Sequence, residues 1–271
     1  MDYGFLVSDA IDYAKDALVG KWVRWLIFIL CNLPFALIAF LFDPKKIVSG
    51  RVAHWELIPW AWIAVLALAG IILMLFISGY MVRIYRGTRP APDFDNWGTL
   101  FIDGVKLAVV HIIWFLPLLI LILAGVGLAV AGIVLGSAAG GVMTGLLLAA
   151  LLVLLLAGIV VFVIVVLYAA MGAIRFSRTG SIREGIRFSK ITEHIRAIGW
   201  GSFILALIIL IVLALIFFGI VFVLSLIPYV GWVLQLVLTP LITIFMARYY
   251  TLVYEQGEKP PAVVGLAGNT E

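Results

Sequence analysis

Apolar residues run along this chain in six long blocks, each bounded by charged, glycine or proline positions. The blocks extend from Trp22 to Phe42, Leu57 to Val82, Leu107 to Leu135, Val142 to Ile174, Trp200 to Leu226, and Gly231 to Tyr254. A helix of about 20 apolar residues crosses a hydrocarbon layer about 30 Å thick, so each block predicts one transmembrane span. The third and fourth blocks are longer than a perpendicular span needs. Tilt, a kink at Pro117, or protrusion of the pair would each absorb the excess. The stretch Gly136-Ser-Ala-Ala-Gly-Gly141 predicts a tight hairpin between those two blocks, and Pro228-Tyr-Val-Gly231 predicts another between the last two.

A second pattern precedes the first, third and fifth blocks, where the chain alternates with helical period instead of being apolar throughout. From Leu6 to Leu18, the residues Leu6, Ala10, Tyr13, Ala14 and Ala17 share one face, with Asp9, Asp12, Lys15 and Asp16 opposite. From Phe94 to Lys106, the stripe Phe94, Trp97, Phe101, Val105 opposes Asp95, Asp103 and Lys106. From Ser181 to Arg196, Phe188, Ile191 and Ile195 form a narrower stripe, and Arg183, Arg187, Lys190 and His194 make one basic face. Each segment predicts a helix lying in the headgroup region and turning into a span. The fold class expected is therefore all-α: a polytopic bundle of about six spans with three interfacial amphipathic helices. The unit of interfacial helix, span, span recurs over residues 5–82, 94–174 and 181–254, a threefold repeat at the level of pattern, within a single membrane domain 1–271 that ends in a flexible tail, 255–271.

Composition agrees: 65% of the residues are hydrophobic and 12% charged, about half the charged share of an ordinary soluble domain. Orientation follows from the basic residues. With the N-terminus inside, fifteen of the eighteen Lys and Arg residues fall in cytoplasmic segments, and only Lys45, Lys46 and Arg51 lie outside. Both termini are thus expected on the cytoplasmic side of the cell membrane. Asp2, Asp9, Asp12 and Asp16 are the opposite of a basic leader, so the first block is expected to remain as an anchor.

The segment Gly79-Tyr80-Met-Val-Arg83-Ile-Tyr-Arg-Gly87, followed by Pro92-Asp93-Phe94-Asp95-Asn-Trp97 and Phe101-Ile-Asp-Gly104, resembles an uncharacterised prokaryotic, largely archaeal family of multi-span membrane proteins. The likeness extends over most of the chain, from the first amphipathic helix to the last span. It implies a membrane location and a fold, and it brings no catalytic residue. Read physically, Gly79 admits a close neighbour helix, and Pro90 and Pro92 make an extended connector. Asp93 or Asp95 suits a cap on the second amphipathic helix. Arg83 and Arg86 sit where they meet either phosphates or the carboxylates of Asp93 and Asp95, which makes this stretch a salt-bridged elbow or a headgroup site.

Little else suggests chemistry. None of the six blocks carries an acid well inside, in contrast to coupled pumps. Arg248 lies near the end of the last block and is expected to snorkel. Cys31 is alone, and His54, His111 and His194 are far apart without carboxylates at ligand spacing, so no metal, cofactor or catalytic residue is expected. Gly125-x-Gly127 reads as a packing feature inside a span. Asn32 beside Pro34, and Gln235 with Thr239 beside Pro240, are the candidates for a lined cavity. The expected function is a non-enzymatic scaffold or accessory protein that binds anionic lipid or a membrane-protein partner, with homo-oligomerisation open to it and no nucleic acid. The alternative is a channel or transporter for a small neutral or apolar solute.

Overall fold

The computed structural model describes residues 1–41, 48–49, 52–53, 56, 58–136, 141–227 and 230–258. The two hairpin stretches 137–140 and 228–229, the expected outside cations Lys45, Lys46 and Arg51, His54 and most of the tail lie outside these residues. Nine helices carry the described chain: α1 Tyr3–Leu18, α2 Trp22–Leu41, α3 Trp60–Tyr85, α4 Trp97–Gly136, α5 Gly141–Thr179, α6 Ile182–Gly185, α7 Phe188–Ile198, α8 Trp200–Ser225 and α9 Val230–Glu255. A two-residue antiparallel ladder, Val48–Ser49 with Val52–Ala53, sits between α2 and α3.

Five of these helices are long and apolar enough to cross a membrane. The pair α1 and α2, bent by 95° at its break, raises the count to six. Their flanks agree with that solvent: Ile112, Leu123, Leu146, Val153, Leu215 and Phe222 are each at least half exposed. A soluble monomer rarely shows contiguous apolar surface of more than a few hundred Å². These are the features of a multi-pass membrane protein.

The chain forms two compact units, residues 1–104 with 192–271, and residues 105–191. In the first unit α1 lies along α9, α2 pairs with α3, and α9 also meets α2, α3 and α8. Asp2 caps α1 by accepting from the Phe5 amide at 3.0 Å, and Gly20, at φ +75°, makes the turn into α2. The face Leu6, Ala10, Tyr13, Ala14, Ala17 is buried as its period predicts. In the second unit the core gathers Val110, Val165, Met171, Ile174, Phe176 and Ile191 at one end of the α4–α5 pair.

Two expected boundaries move. The segment Phe94–Lys106 is not a helix separate from its span: α4 runs unbroken for 40 residues, through Lys106 and Pro117, to a length of about 60 Å. A change from amphipathic to uniformly apolar pattern alters what a helix faces without supplying a break, and no proline stands between Trp97 and Leu116 to make one. Conversely, Ser181–Arg196 is two helices, α6 and α7, parted at Ile186 and Arg187.

The small residues divide sharply. A Cβ on Gly79 would overlap the Leu100 carbonyl, and one on Gly104 would overlap the Leu75 carbonyl, so α3 and α4 cross backbone against backbone there. Gly79 thus has the role its position suggested. Gly125 and Gly127 do not: a Cβ on either meets nothing within 4 Å.

Candidate functional site

Three of the even-numbered spans expected from the sequence end in arginine, and each of these arginines takes a carboxylate from a short or amphipathic segment. At the end of α3, Arg83 pairs with Asp95 and also donates to the main-chain oxygens of Asp93 and Asp95, each at 2.8 Å. One turn on, Arg86 Nη2 lies 2.8 Å from Asp103 Oδ2. At the end of α5, Arg175 Nε donates to Glu184 Oε2 at 3.1 Å, while Arg187 holds the other oxygen at 2.9 Å. In α9, Arg248 Nε donates to Asp9 Oδ2 at 2.9 Å, and Arg89 pairs with the other Asp9 oxygen. Basic groups near helix C-termini also meet the negative end of the helix dipole.

The local sequence around each acid is alike. Asp9-Ala10-Ile11, Asp103-Gly104-Val105 and Glu184-Gly185-Ile186 each follow the acid with a small residue and a β-branched one. The small residue is what allows contact. Ala10 is fully buried, Gly104 touches α3, and a Cβ on Gly185 would stand 2.7 Å from Phe176 Cβ and 3.0 Å from the Gly172 oxygen. The acid is thereby set at the surface of the neighbouring helix, within reach of its terminal arginine. This triplet is the signal from which the pairing could have been read.

Arg83 with Asp95 forms the salt-bridged elbow expected of that stretch. The other expected partners differ. Asp93 accepts from Arg24 Nε at 2.7 Å, and Arg86 turns to Asp103, so the carboxylates of Asp93 and Asp95 go to guanidinium groups and not to helix amides. A ring cluster backs the elbow: Tyr80 stacks on Phe94 with centroids 4.5 Å apart, Phe28 meets both edge-on, and Trp97 continues the stack. The Tyr80 hydroxyl, fully buried among them, has no hydrogen-bond partner among the described residues.

The polar face expected for α1 is corrected at Asp9. Its side chain is 11% exposed and faces inward, whereas Asp12 and Lys15 are exposed and pair with each other. Arg248 does not snorkel: it is 2% exposed and lies over the Tyr13 ring at 5.1 Å. Burial pushes the Tyr13 phenol up to about 12 against the opposing pull of Arg248, and its hydroxyl donates to the Thr88 oxygen at 3.0 Å. Glu184 is held below the usual carboxylate range by hydrogen bonds from Arg175 and Arg187.

The basic face dissolves for a geometric reason. Its spacing assumed one helix from Ser181 to Arg196, and the break at Ile186 and Arg187 removes that register. Arg183 is exposed on α6, Arg187 is tied to Glu184, and Lys190 lies on α7. His194 turns inward, its ring stacked on Tyr254 at 3.8 Å and its Nε2 2.9 Å from the Tyr254 oxygen.

The polar residues singled out beside the prolines bond locally. The Asn32 amide donates to the Phe28 oxygen at 2.9 Å, and the Thr239 hydroxyl donates to the Gln235 oxygen at 2.7 Å, each within its own helix. Gln235 itself is exposed. Among the described residues, no group of three or more His, Cys, Asp or Glu is placed to hold a metal ion.

No curated protein and no solved structure matches this chain. One family model does. It matches residues 62–229, from α3 through α8, a narrower reach than the likeness expected from the first amphipathic helix to the last span. The crossing of Gly79 with Gly104 and the pairs Arg83–Asp95, Arg86–Asp103 and Arg175–Glu184 fall inside the match, whereas Asp9 and Arg248 fall outside it. The chain belongs to DUF4013, a family of proteins of unknown function.

Proposed function

We propose that this protein is a non-enzymatic scaffold or accessory protein of the cell membrane, with both termini cytoplasmic, that holds anionic lipid or a membrane partner against its arginine-bearing helix ends. One observation carries the reading. Asp9, Asp93, Asp95, Asp103 and Glu184 are all committed to arginines, while Lys21, Arg183 and Arg196 are exposed and have no ion pair among the described residues. Acids that could shuttle protons are spent on architecture, and the cations left over belong to segments that the positive-inside rule puts beside anionic headgroups.

The threefold repeat is part of the proposal, in revised form. Each copy ends in an arginine that clamps the acid–small–β-branched triplet of a following segment. The third arginine, Arg248, instead reaches back to the triplet of α1. The channel or transporter reading is not favoured, because Asn32 and Thr239 each spend a hydrogen bond within their own helices.

The test is extraction of the protein with its native lipid in a bilayer-preserving polymer, with lipids and proteins identified by mass spectrometry. Enrichment of anionic lipid or a fixed-ratio partner is expected, and Arg183→Gln with Arg196→Gln is expected to reduce it. Emergence of the protein alone in bulk lipid, unchanged in the double variant, would refute the reading.

A further inference from the structure

At the turn between α1 and α2 two depressions share a wall. One, of about 670 Å³, is a mouth that bears charged groups, lined by Gly20, Lys21, Arg24, Asp93 and Phe94. The other, of about 400 Å³, is an apolar groove lined by Trp25, Leu26, Ile29 and Val237. Trp22 and Val23 line both, and each is 72% exposed. The groove is firmly built. Trp22 stacks on Trp25 at 5.7 Å, and the Trp25 indole donates to the Val237 oxygen at 2.7 Å, within the turn that Pro240 interrupts.

We propose that this pair of depressions is a binding site for one anionic phosphodiester lipid with a hydroxyl-bearing head group, its chain in the groove and its phosphate at Lys21. The inference rests on the scaffold reading above, in that it needs α2 to cross the bilayer with Gly20 at the headgroup level. The shape is that of an amphiphile, charged at one end and apolar at the other, with Trp22 on the shared wall at the boundary where such rings concentrate. Charge selects the head group. Arg24 and Asp93 neutralise each other on the rim, and Lys21 adds one cation with no ion-pair partner among the described residues, so the mouth carries a net charge of about +1. A lipid of charge −1 balances it, and a zwitterionic lipid does not. The Asp93 carboxylate is 73% exposed on the same rim and accepts hydrogen bonds, which a head-group hydroxyl supplies and a bare phosphate lacks.

The experiment is native mass spectrometry of the full chain in detergent, titrated with dioleoyl phosphatidylglycerol and, separately, dioleoyl phosphatidylcholine. Wild type is expected to hold one phosphatidylglycerol that survives where phosphatidylcholine is stripped. Lys21→Gln, at an exposed side chain, is expected to weaken that retention about tenfold, the worth of one charge-assisted contact. Leu26→Trp, which fills the groove, is expected to abolish it, and Lys15→Gln, whose partner is Asp12, to leave it intact. Equal retention of the two lipids by wild type, or an unchanged Lys21→Gln, overturns this site. If Lys21→Gln is silent while Arg183→Gln with Arg196→Gln loses anionic lipid, the site fails and the scaffold reading stands. If no variant and no lipid class matters, both fail.

Discussion

Arg248 of α9 and Asp9 of α1 meet through a 2.9 Å hydrogen bond across 239 positions of sequence. Both side chains are nearly excluded from solvent, at 2% and 11% exposure. Removing Asp9 leaves the buried Arg248 charge uncompensated, at a cost of about 3–5 kcal/mol, whereas removing Arg248 costs less because Arg89 still holds Asp9. Asp9→Asn and Arg248→Met are each expected to lower the midpoint of thermal unfolding clearly. The double variant is expected to lose less than the sum of the two. A double-mutant cycle read by unfolding in detergent checks this, and additive losses would deny the coupling.

Gly79 and Gly104 should tolerate no side chain. Each added methyl meets a main-chain carbonyl of the opposite helix, which cannot swing aside as a side chain can. Gly79→Ala and Gly104→Ala are expected to cost about 1–3 kcal/mol or to prevent folding. Gly125→Ala and Gly158→Ala, where a Cβ meets nothing within 4 Å, are expected to be neutral or to stabilise by up to about 1 kcal/mol. Thermal midpoints of the four variants in one detergent decide the contrast.

The Arg175–Glu184–Arg187 cluster gives α6 an acid limit. Because its hydrogen bonds hold Glu184 below its ordinary value of 4.5, the contribution is fully present above 4.5 and is lost as pH falls through the depressed folded value. Amide exchange in α6 is expected to speed up as the solution is acidified through that range. Glu184→Gln is expected to exchange faster throughout and to lose the pH dependence. A wild-type profile as flat as the variant's would count against the clamp.

Tyr13 sets the alkaline counterpart. Its folded phenol, raised to about 12, stays protonated while an unfolded one ionises near 10. Stability is therefore undiminished below 10 and falls as pH rises from 10 towards 12. In Tyr13→Phe that part of the fall is expected to vanish, together with about 1 kcal/mol from the bond to Thr88. Unfolding midpoints of both proteins between these pH values measure it.

Hydropathy located most of the helices closely. The block from Trp200 to Leu226 became α8, Trp200–Ser225, and the block from Gly231 to Tyr254 became α9, Val230–Glu255, because charge, glycine and proline end an apolar run where they end a helix. Continuity was harder to read. Nothing in the pattern distinguishes a helix that lies flat and then turns at Lys106 from one that continues straight, and only the placement of breakers separates α4 from the α1–α2 elbow, where Gly20 stands. Pairing was hardest. Arg86 has Asp93, Asp95 and Asp103 within reach in sequence, and its choice depends on Gly104 bringing α4 against α3. Asp9 looked like a surface residue because both of its partners, Arg89 and Arg248, lie far along the chain. The Arg83–Asp95 elbow was legible because both ends lie in one short segment.

That order of manufacture has a consequence for assembly. Translation proceeds at about 5–20 residues per second, so Asp9 waits on the order of tens of seconds for Arg248 to be synthesised. Once Arg89 is made, one Asp9 oxygen has its guanidinium partner, and the other waits for Arg248. A chain stalled before α9 therefore holds Asp9 by one arginine instead of two, and the face of α1 that packs along α9 stays uncovered.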